Sequence, residues 1–487
     1  MIMKNPGSFR LNSIENQTNP TKWVAMLIGC VFFFGGCQSG NSNDSSDLND
    51  SLAEAVEHPV FDLHIEPIIV ANCSPCHREN GGAPFVFKSY EQIKKKQKTL
   101  LKVVVDRIMP PWPADVHYSS FIDEKRLSDA QIRTIQNWVK DGCPSGANPN
   151  KLLSQVKPFE SSLGKPDLVL FLDSVSLPQG SDDRFFLMTA PGLLPQKKYI
   201  KAVELIPGQP NLMHHFNGHW INYEFESRKN FSLTPRKVEL TPGKGDRSTS
   251  TLDLLADNGQ IPERKHSVVN YLPGVFGVMY PDGIGTFEAE PKFIIVGNDV
   301  HYGPSRKSVV DRSKINIFFT DVPPKRGTGE LMLGTNGVSK IVPPLVIPPN
   351  KITKHFTSFE VPADISILTL NPHLHLLGKS FKAYAVKPNG DTIHLIWIPK
   401  WDFRWQYFYT FKKMVKVPRG SIITAEAVFD NTTANPNNPN RPPKTVSERM
   451  DYFGSSMKAS DEMFQFIITY LGYEPGDENR SLEVKKK

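Results

Sequence analysis

Ile365-Ser366-Ile367-Leu368-Thr369-Leu370 is the stretch that decides the fold. Its β-branched and apolar residues carry no helical spacing. Phe293-Ile294-Ile295-Val296, Ile315-Asn316-Ile317-Phe318-Phe319 and Phe464-Gln465-Phe466-Ile467-Ile468 repeat the pattern between Pro, Gly and Asn turns. Many short strands so separated are the signature of β-sandwiches. The chain's 41 prolines and 33 glycines in 487 residues agree with a turn-rich, largely β architecture. The pattern holds from about Pro166 onward. Before it the periodicity is helical: Val60 to Ile69, Tyr90 to Ile108, and Leu127 to Val139 with Ile132, Ile135 and Trp138 on one face and Gly142 just after. The expected fold is therefore multidomain, a small all-α domain followed by two tandem all-β sandwiches.

Boundaries follow from composition. Residues 1–37 read as a leader and 38–57, rich in Ser, Asn and Asp, as a flexible tether. The helical domain spans 58–150, a linker 151–164, the first sandwich 165–345 and the second 346–487. The proline-rich stretch Pro343 to Pro349 is the expected seam between the sandwiches. Lys4, Arg10 and Lys22 against Glu15 contribute +2 of the formal +7, leaving +5 beyond the leader. That dispersed charge excludes a nucleic-acid partner. The basic run Lys94-Lys95-Lys96-Gln97-Lys98 reads as a solvated helix face.

In the leader, Lys22 precedes an apolar run from Trp23 to Phe34, too short to span a bilayer but suited to a signal peptide. Gly35-Gly36-Cys37 and the polar stretch after it resemble a bacterial lipobox, with Cys37 as the lipidated residue. Leu27-Ile28-Gly29-Cys30 fits the same pattern but would leave Val31 to Phe34 exposed. The expected location is extracytoplasmic, anchored by lipid to a bacterial membrane.

Two of the five cysteines lie in Cys73-Ser74-Pro75-Cys76-His77. This is the attachment signature of a c-type haem: the thiols of Cys73 and Cys76 add to the vinyl groups and His77 becomes the proximal iron ligand. No second CxxC exists to complete a zinc site. A sixth ligand is expected before the last helix. Met109, in Ile108-Met109-Pro110-Pro111-Trp112-Pro113, stands there, with His117 or an open site as rivals. The helical domain is thus read as a class I cytochrome c, and Cys143 is left unpaired.

A second constellation comprises His214-His215, His301, His373-Leu374-His375 and Met463. In a strand, i and i+2 share a face, so His373 and His375 can chelate one ion. His214 and His215 would point oppositely unless a bulge or strand end redirects them. Imidazoles with a thioether suit copper, especially Cu(I). His219, His266, His355 and His394 read as structural.

The segments Met213-His214-His215-Phe216, Val300-His301-Tyr302-Gly303, His373-Leu374-His375-Leu376-Leu377-Gly378-Lys379 and Ser460-Asp461-Glu462-Met463 resemble, in order and spacing, the copper type II, ascorbate-dependent monooxygenases. That is the family of peptidylglycine hydroxylating monooxygenase and dopamine β-monooxygenase. Tyr280-Pro281-Asp282-Gly283-Ile284-Gly285 is similar to a turn of that family. The resemblance covers roughly residues 165–475. It implies jelly-roll-like sandwiches and two copper ions. One would be held by His214, His215 and His301 and would relay electrons. The other would be held by His373, His375 and Met463 and would bind O2 and hydroxylate a C–H bond of a small substrate. Ascorbate or a redox protein would be the reductant, with the fused haem feeding electrons to the copper of His214, His215 and His301.

The resemblance has departures. Peptide-amidating members carry an arginine two residues before His-x-His and a tyrosine four after the methionine; here those positions are Asn371 and Ile467. Without a bidentate guanidinium clamp, a peptidylglycine carboxylate is not an expected substrate. The family's disulfides are also absent. Two other readings stand beside this one. The first is a lipid-anchored electron-transfer protein whose sandwiches bind a partner without copper. The second is a zinc hydrolase built on His-x-His.

Overall fold

A computed structural model describes residues 54–241, 249–272, 274–275, 277–448 and 460–484. Cys30, Cys37 and nearly all of the leader and tether lie outside the described residues. Among those described, no helix is long and apolar enough to cross a membrane. The structure is mostly β-sheet, with 12% helix, as the strand-and-turn pattern requires.

The helical part comes first. Phe61–Ile65 and Glu66–Asn72 lead into the Cys73–His77 segment, and Tyr90–Lys95, Gln97–Val105 and Asp129–Lys140 follow. The long helix expected over Tyr90 to Ile108 is two helices, because Lys96 leaves helical geometry (φ −100°, ψ 8°). Ser128 and Gln131 form a capping box that starts the last helix. Its face buries Ile132, Ile135 and Trp138 against Phe61, Ile65, Leu100 and Val104. The four lysines of the basic run are all exposed.

The first sandwich stacks two sheets. One has the order Leu168–Phe171, Lys314–Thr320, Lys198–Ile206, Phe287–Ala289. The other runs Arg236–Glu239, Arg184–Leu193, Lys292–Tyr302, Met213–Tyr223, Arg264–Tyr271. Val203, Leu205, Ile315 and Ile317 of the first meet Met188, Phe216, Trp220 and Ile295 of the second.

The second sandwich also stacks a four-stranded sheet on a five-stranded one. The first has the order Gly329–Gly334, Phe464–Gly472, Ile365–Leu374, Tyr409–Val417. The second runs Ile341–Val342, Ile352–Glu360, Ile422–Asp430, Gly378–Val386, Thr392–Ile398.

Two expectations need correction. Strands Gly329–Gly334 and Ile341–Val342 belong to the second sandwich, so the seam lies between Thr320 and Gly329, not at 345. The prolines from Pro343 to Pro349 only turn the chain between short edge strands, Ile341–Val342 and Val346–Ile347. Nor is 151–164 a loose connector. Leu153 and Leu163 are buried, and Ser161 and Ser162 hydroxyls donate to the Glu204 carboxylate of the first sandwich (2.6 Å for Ser161).

All three parts touch. The stretch after Met109 leaves the helical part and lies along the second sandwich. Asp115 N–H donates to Trp397 O (2.7 Å) and Ile122 N–H to Thr410 O (2.8 Å). Phe121 pairs with Phe411 on the edge strand Tyr409–Val417, shielding its free backbone groups. From the first sandwich, Ile284 enters the second core and the Tyr280 hydroxyl bonds Thr369 Oγ1 (2.6 Å).

Trp220 anchors the first core, 1% exposed and stacked on Phe293 at 4.1 Å. Trp220→Ala is expected to cost about 3–5 kcal/mol, because a cavity of indole size cannot collapse between two sheets. Thermal or denaturant unfolding of the variant against the parent checks this.

Candidate metal and redox centres

The strand Met213–Tyr223 pairs with Lys292–Tyr302, placing Met213 opposite Tyr302 and His215 opposite His301. His214 is therefore the extra residue of a β-bulge. This is the local device that lets two adjacent histidines face one point. The ligating atoms of His214, His215 and His301 lie within 4.8 Å of one another, and the Nδ1 atoms of His214 and His215 are 3.2 Å apart.

The donors of this cluster are oriented. His301 Nε2 donates to Asp183 Oδ1 (2.7 Å), leaving its Nδ1 as a buried lone pair without a protein partner. A carboxylate behind an imidazole fixes the tautomer of a metal-binding histidine. Asp299 Oδ2 comes within 2.9 Å of His215 Nε2. Phe185 stacks on the His301 ring at 4.2 Å.

A second cluster forms where the strand Ile365–Leu374 ends. His373 Nε2 lies 3.2 Å from the Met463 sulfur, and the His373 and His375 rings are 5.0 Å apart at 89°. Met463 immediately precedes the strand Phe464–Gly472, which pairs with Ile365–Leu374. His375 Nδ1 donates to Asp461 O (2.7 Å) and His373 Nδ1 to Gln406 Oε1. Gln406 Nε2 is itself spent on Phe403 O (2.8 Å), which fixes the amide orientation. Both imidazoles thus keep Nε2 as a lone pair, that of His373 beside the Met463 thioether, and imidazoles with a thioether form a set whose softness matches copper.

Glu462 shapes the approach. It is fully buried, and its carboxyl accepts Leu377 N–H (2.7 Å) and His375 N–H (3.2 Å). Burial pushes it up to about 8, so it is mainly neutral at pH 7. Its two oxygens accept the backbone N–H groups of the His375–Leu377 turn and so tie Met463's neighbour to the His373–His375 segment.

The two clusters face each other across the seam. The Phe403 ring packs 5.0 Å from His214 and 5.5 Å from His375. Burial drives His214 well below its ordinary value, as do His215 and His301 and then the more distant His375 and His373. Burial lowers His373 to about 4 and His375 to about 3, the latter with help from His373. All three are neutral at pH 7, the form that ligates metal.

In the helical part, Cys73 and Cys76 are free thiols one turn apart, and His77 N–H donates to Cys73 O (2.9 Å). Burial pushes the Cys73 thiol up to about 12. His77 Nδ1 donates to Phe85 O (3.0 Å), which leaves Nε2 open. Phe85 and Phe87 flank the ring at 4.5 and 4.8 Å. Met109 follows the helix Gln97–Val105, half-buried, with its N–H on Val103 O (3.0 Å). His117 is exposed on the stretch docked to the second sandwich. Cys143 is buried, with its sulfur 2.8 Å from Gln97 Oε1.

Asp183, Gln406 and Phe403 had no signal in sequence, since each works from a different strand or loop. Asp299, two residues before His301 on the same strand, was the discoverable one. Asn371 donates to Tyr407 O (3.1 Å) and sits opposite Ile467, so neither position offers a cation.

Residues 333–439 match the family model for the copper type II ascorbate-dependent monooxygenase, C-terminal domain. The matched stretch contains His373, His375, Phe403 and Gln406, and supports an oxidoreductase of the copper monooxygenase kind. No curated protein matches the chain. Among solved structures, the infectious bursal disease virus VP2 subviral particle aligns at 8% identity and TM-score 0.17, over 68% of this chain and 78% of that one. PNGF-II aligns at 10% identity and TM-score 0.18, over 64% and 63%. At such TM-scores neither likeness bears on fold or function.

Proposed function

We propose that the chain is a lipid-anchored, extracytoplasmic copper monooxygenase that hydroxylates a C–H bond of a small substrate and draws electrons from its own c-type haem. The observation that carries the copper part is the pair of facing donor sets, three imidazoles on one side and two imidazoles with a thioether on the other. The reaction consumes substrate, O2, two electrons and two protons, and yields the alcohol and water. Copper at these sites supplies one-electron redox chemistry and dioxygen capture.

The chain's own residues set up that chemistry. His301 is held by Asp183, His373 by Gln406 and His375 by the Asp461 carbonyl, each with a lone pair aimed inward. Ascorbate or a redox protein can serve as external reductant. Asn371 and Ile467 stand where peptide-amidating members carry their carboxylate clamp, so the proposed substrate is other than a peptidylglycine.

What supports the haem part is Cys73-Ser74-Pro75-Cys76-His77 together with the Phe85 carbonyl on His77 Nδ1, which leaves Nε2 for iron. Met109 is the proposed sixth ligand and Cys37 the lipidated residue. A covalently tethered donor is present at an effective concentration of about millimolar, far above a dilute soluble reductant.

The full chain, matured with haem and titrated with Cu(II), is expected to bind two coppers and one haem. His215→Ala and His373→Ala should each remove one copper and abolish hydroxylation, while the haem spectrum stays unchanged. Elemental analysis with optical spectroscopy reads this. Metal uptake that is all zinc, or copper unaffected by either change, would contradict the assignment.

Stability of the metal-free protein should depend on pH in a stated direction. Unfolded histidines titrate near 6.5, whereas buried His373 and His375 stay neutral down to about 4 and 3. Below pH 6.5 the unfolded state binds more protons, so stability falls as pH drops from 6.5 towards 4. Each such histidine contributes a slope of up to about 1.4 kcal/mol per pH unit. Chemical denaturation across this range checks it, and replacing both residues should flatten the slope.

A further inference from the structure

The segment Trp401–Tyr409 connects all three parts of the molecule. At one end, the Tyr407 hydroxyl donates to Pro111 O (3.0 Å), two residues beyond Met109, and Trp112 stacks on the Tyr407 ring at 5.8 Å. Lys125 sits 4.0 Å over the same ring and donates to Gly274 O (2.7 Å) of the first sandwich. In the middle, Trp405 stacks on Tyr407 at 6.5 Å and 23°. At the other end, Phe403 touches His214 and His375, while Gln406 bonds His373. A stretch of nine residues thus meets the chain just beyond Met109 and both histidine clusters. The aromatic residues it carries are all buried or half-buried.

We infer that Tyr407, Trp405 and Phe403 form the electron path from the haem unit to the two histidine clusters, entered at the Pro111 carbonyl and left at the Phe403 ring. The inference rests on the reading above that haem and copper are both bound. One electron passes per event: ferrous iron becomes ferric and Cu(II) becomes Cu(I). No bond is made or broken and no proton moves at the aromatic residues. Two passes supply the two electrons of one hydroxylation. Tyr407, Trp405 and Phe403 are positioning residues for transfer, since none of them holds a metal. Phe403 also accounts for both clusters being served from one entry, because its ring contacts a histidine of each.

The test uses the full chain with one haem and two Cu(II). The haem is reduced by a rapid electron pulse under argon, and its reoxidation by bound Cu(II) is followed at the haem absorbance bands. Trp405→Leu and Tyr407→Leu are expected to slow reoxidation by about tenfold or more, and Trp405→Phe to restore most of the rate. Haem potential, copper stoichiometry and the Cu(II) paramagnetic resonance signature should be unchanged, which separates a route from a general loss of structure. If Tyr407→Leu fails to fold, Trp405→Leu decides. Reoxidation within about twofold of the parent in the leucine variants, with both metals bound, overturns the route while leaving the copper and haem assignment standing. A parent chain that takes up no copper or no haem overturns the assignment, and the route with it.

Discussion

Burial of neutral imidazoles at the seam between the sandwiches is the constraint on which the rest depends. A histidine taken out of water must lose its charge and find partners for both ring nitrogens. Here one nitrogen of His301, of His373 and of His375 is spent on Asp183, Gln406 or a backbone carbonyl. The remaining nitrogen of His301 faces the His214 and His215 donors, and that of His373 faces the Met463 sulfur. Such an arrangement is costly without a cation and favourable with one. The Phe403 ring contacts both groups, His214 on one side and His375 on the other.

That seam is held from outside. Tyr280 and Ile284 cross from the first sandwich into the second. Arg326, at the junction, pairs with fully buried Asp477, which Ser366 also bonds. The stretch from Asp115 to Ile122 extends the helical part onto the edge strand Tyr409–Val417. One docking contact therefore covers a sheet edge and brings Pro111 and Trp112 against Tyr407, on the segment that touches both histidine groups. Stability and function use the same interface.

Much of this could be read from sequence, for identifiable reasons. Strand existence followed from apolar runs between turn residues, and Ile365–Leu374 appears where Ile365-Ser366-Ile367-Leu368-Thr369-Leu370 predicts it. The His214-His215 doublet called for a bulge or a strand end, and the pairing with His301 contains a bulge. Three things were not readable. The seam at Asp321 to Thr328 carries Pro323-Pro324, but Pro343 to Pro349 is the stronger proline signal and marks only edge-strand turns. The break at Lys96 leaves no Gly or Pro trace. Phe403, Gln406 and Asp183 act across strands far apart in sequence, and pair contacts of that kind have no local pattern. The leader and Cys37 remain a sequence reading, since they lie outside the described residues.

Copper K-edge X-ray absorption on the reduced, fully loaded chain tests the central claim most directly. Two sites built from His214, His215 and His301 and from His373, His375 and Met463 predict nitrogen scatterers at both coppers and one sulfur for every two coppers. Met463→Ala should remove that sulfur signal and leave the all-imidazole copper as it was. A spectrum without sulfur in the parent protein, or with sulfur that survives Met463→Ala, would contradict the account.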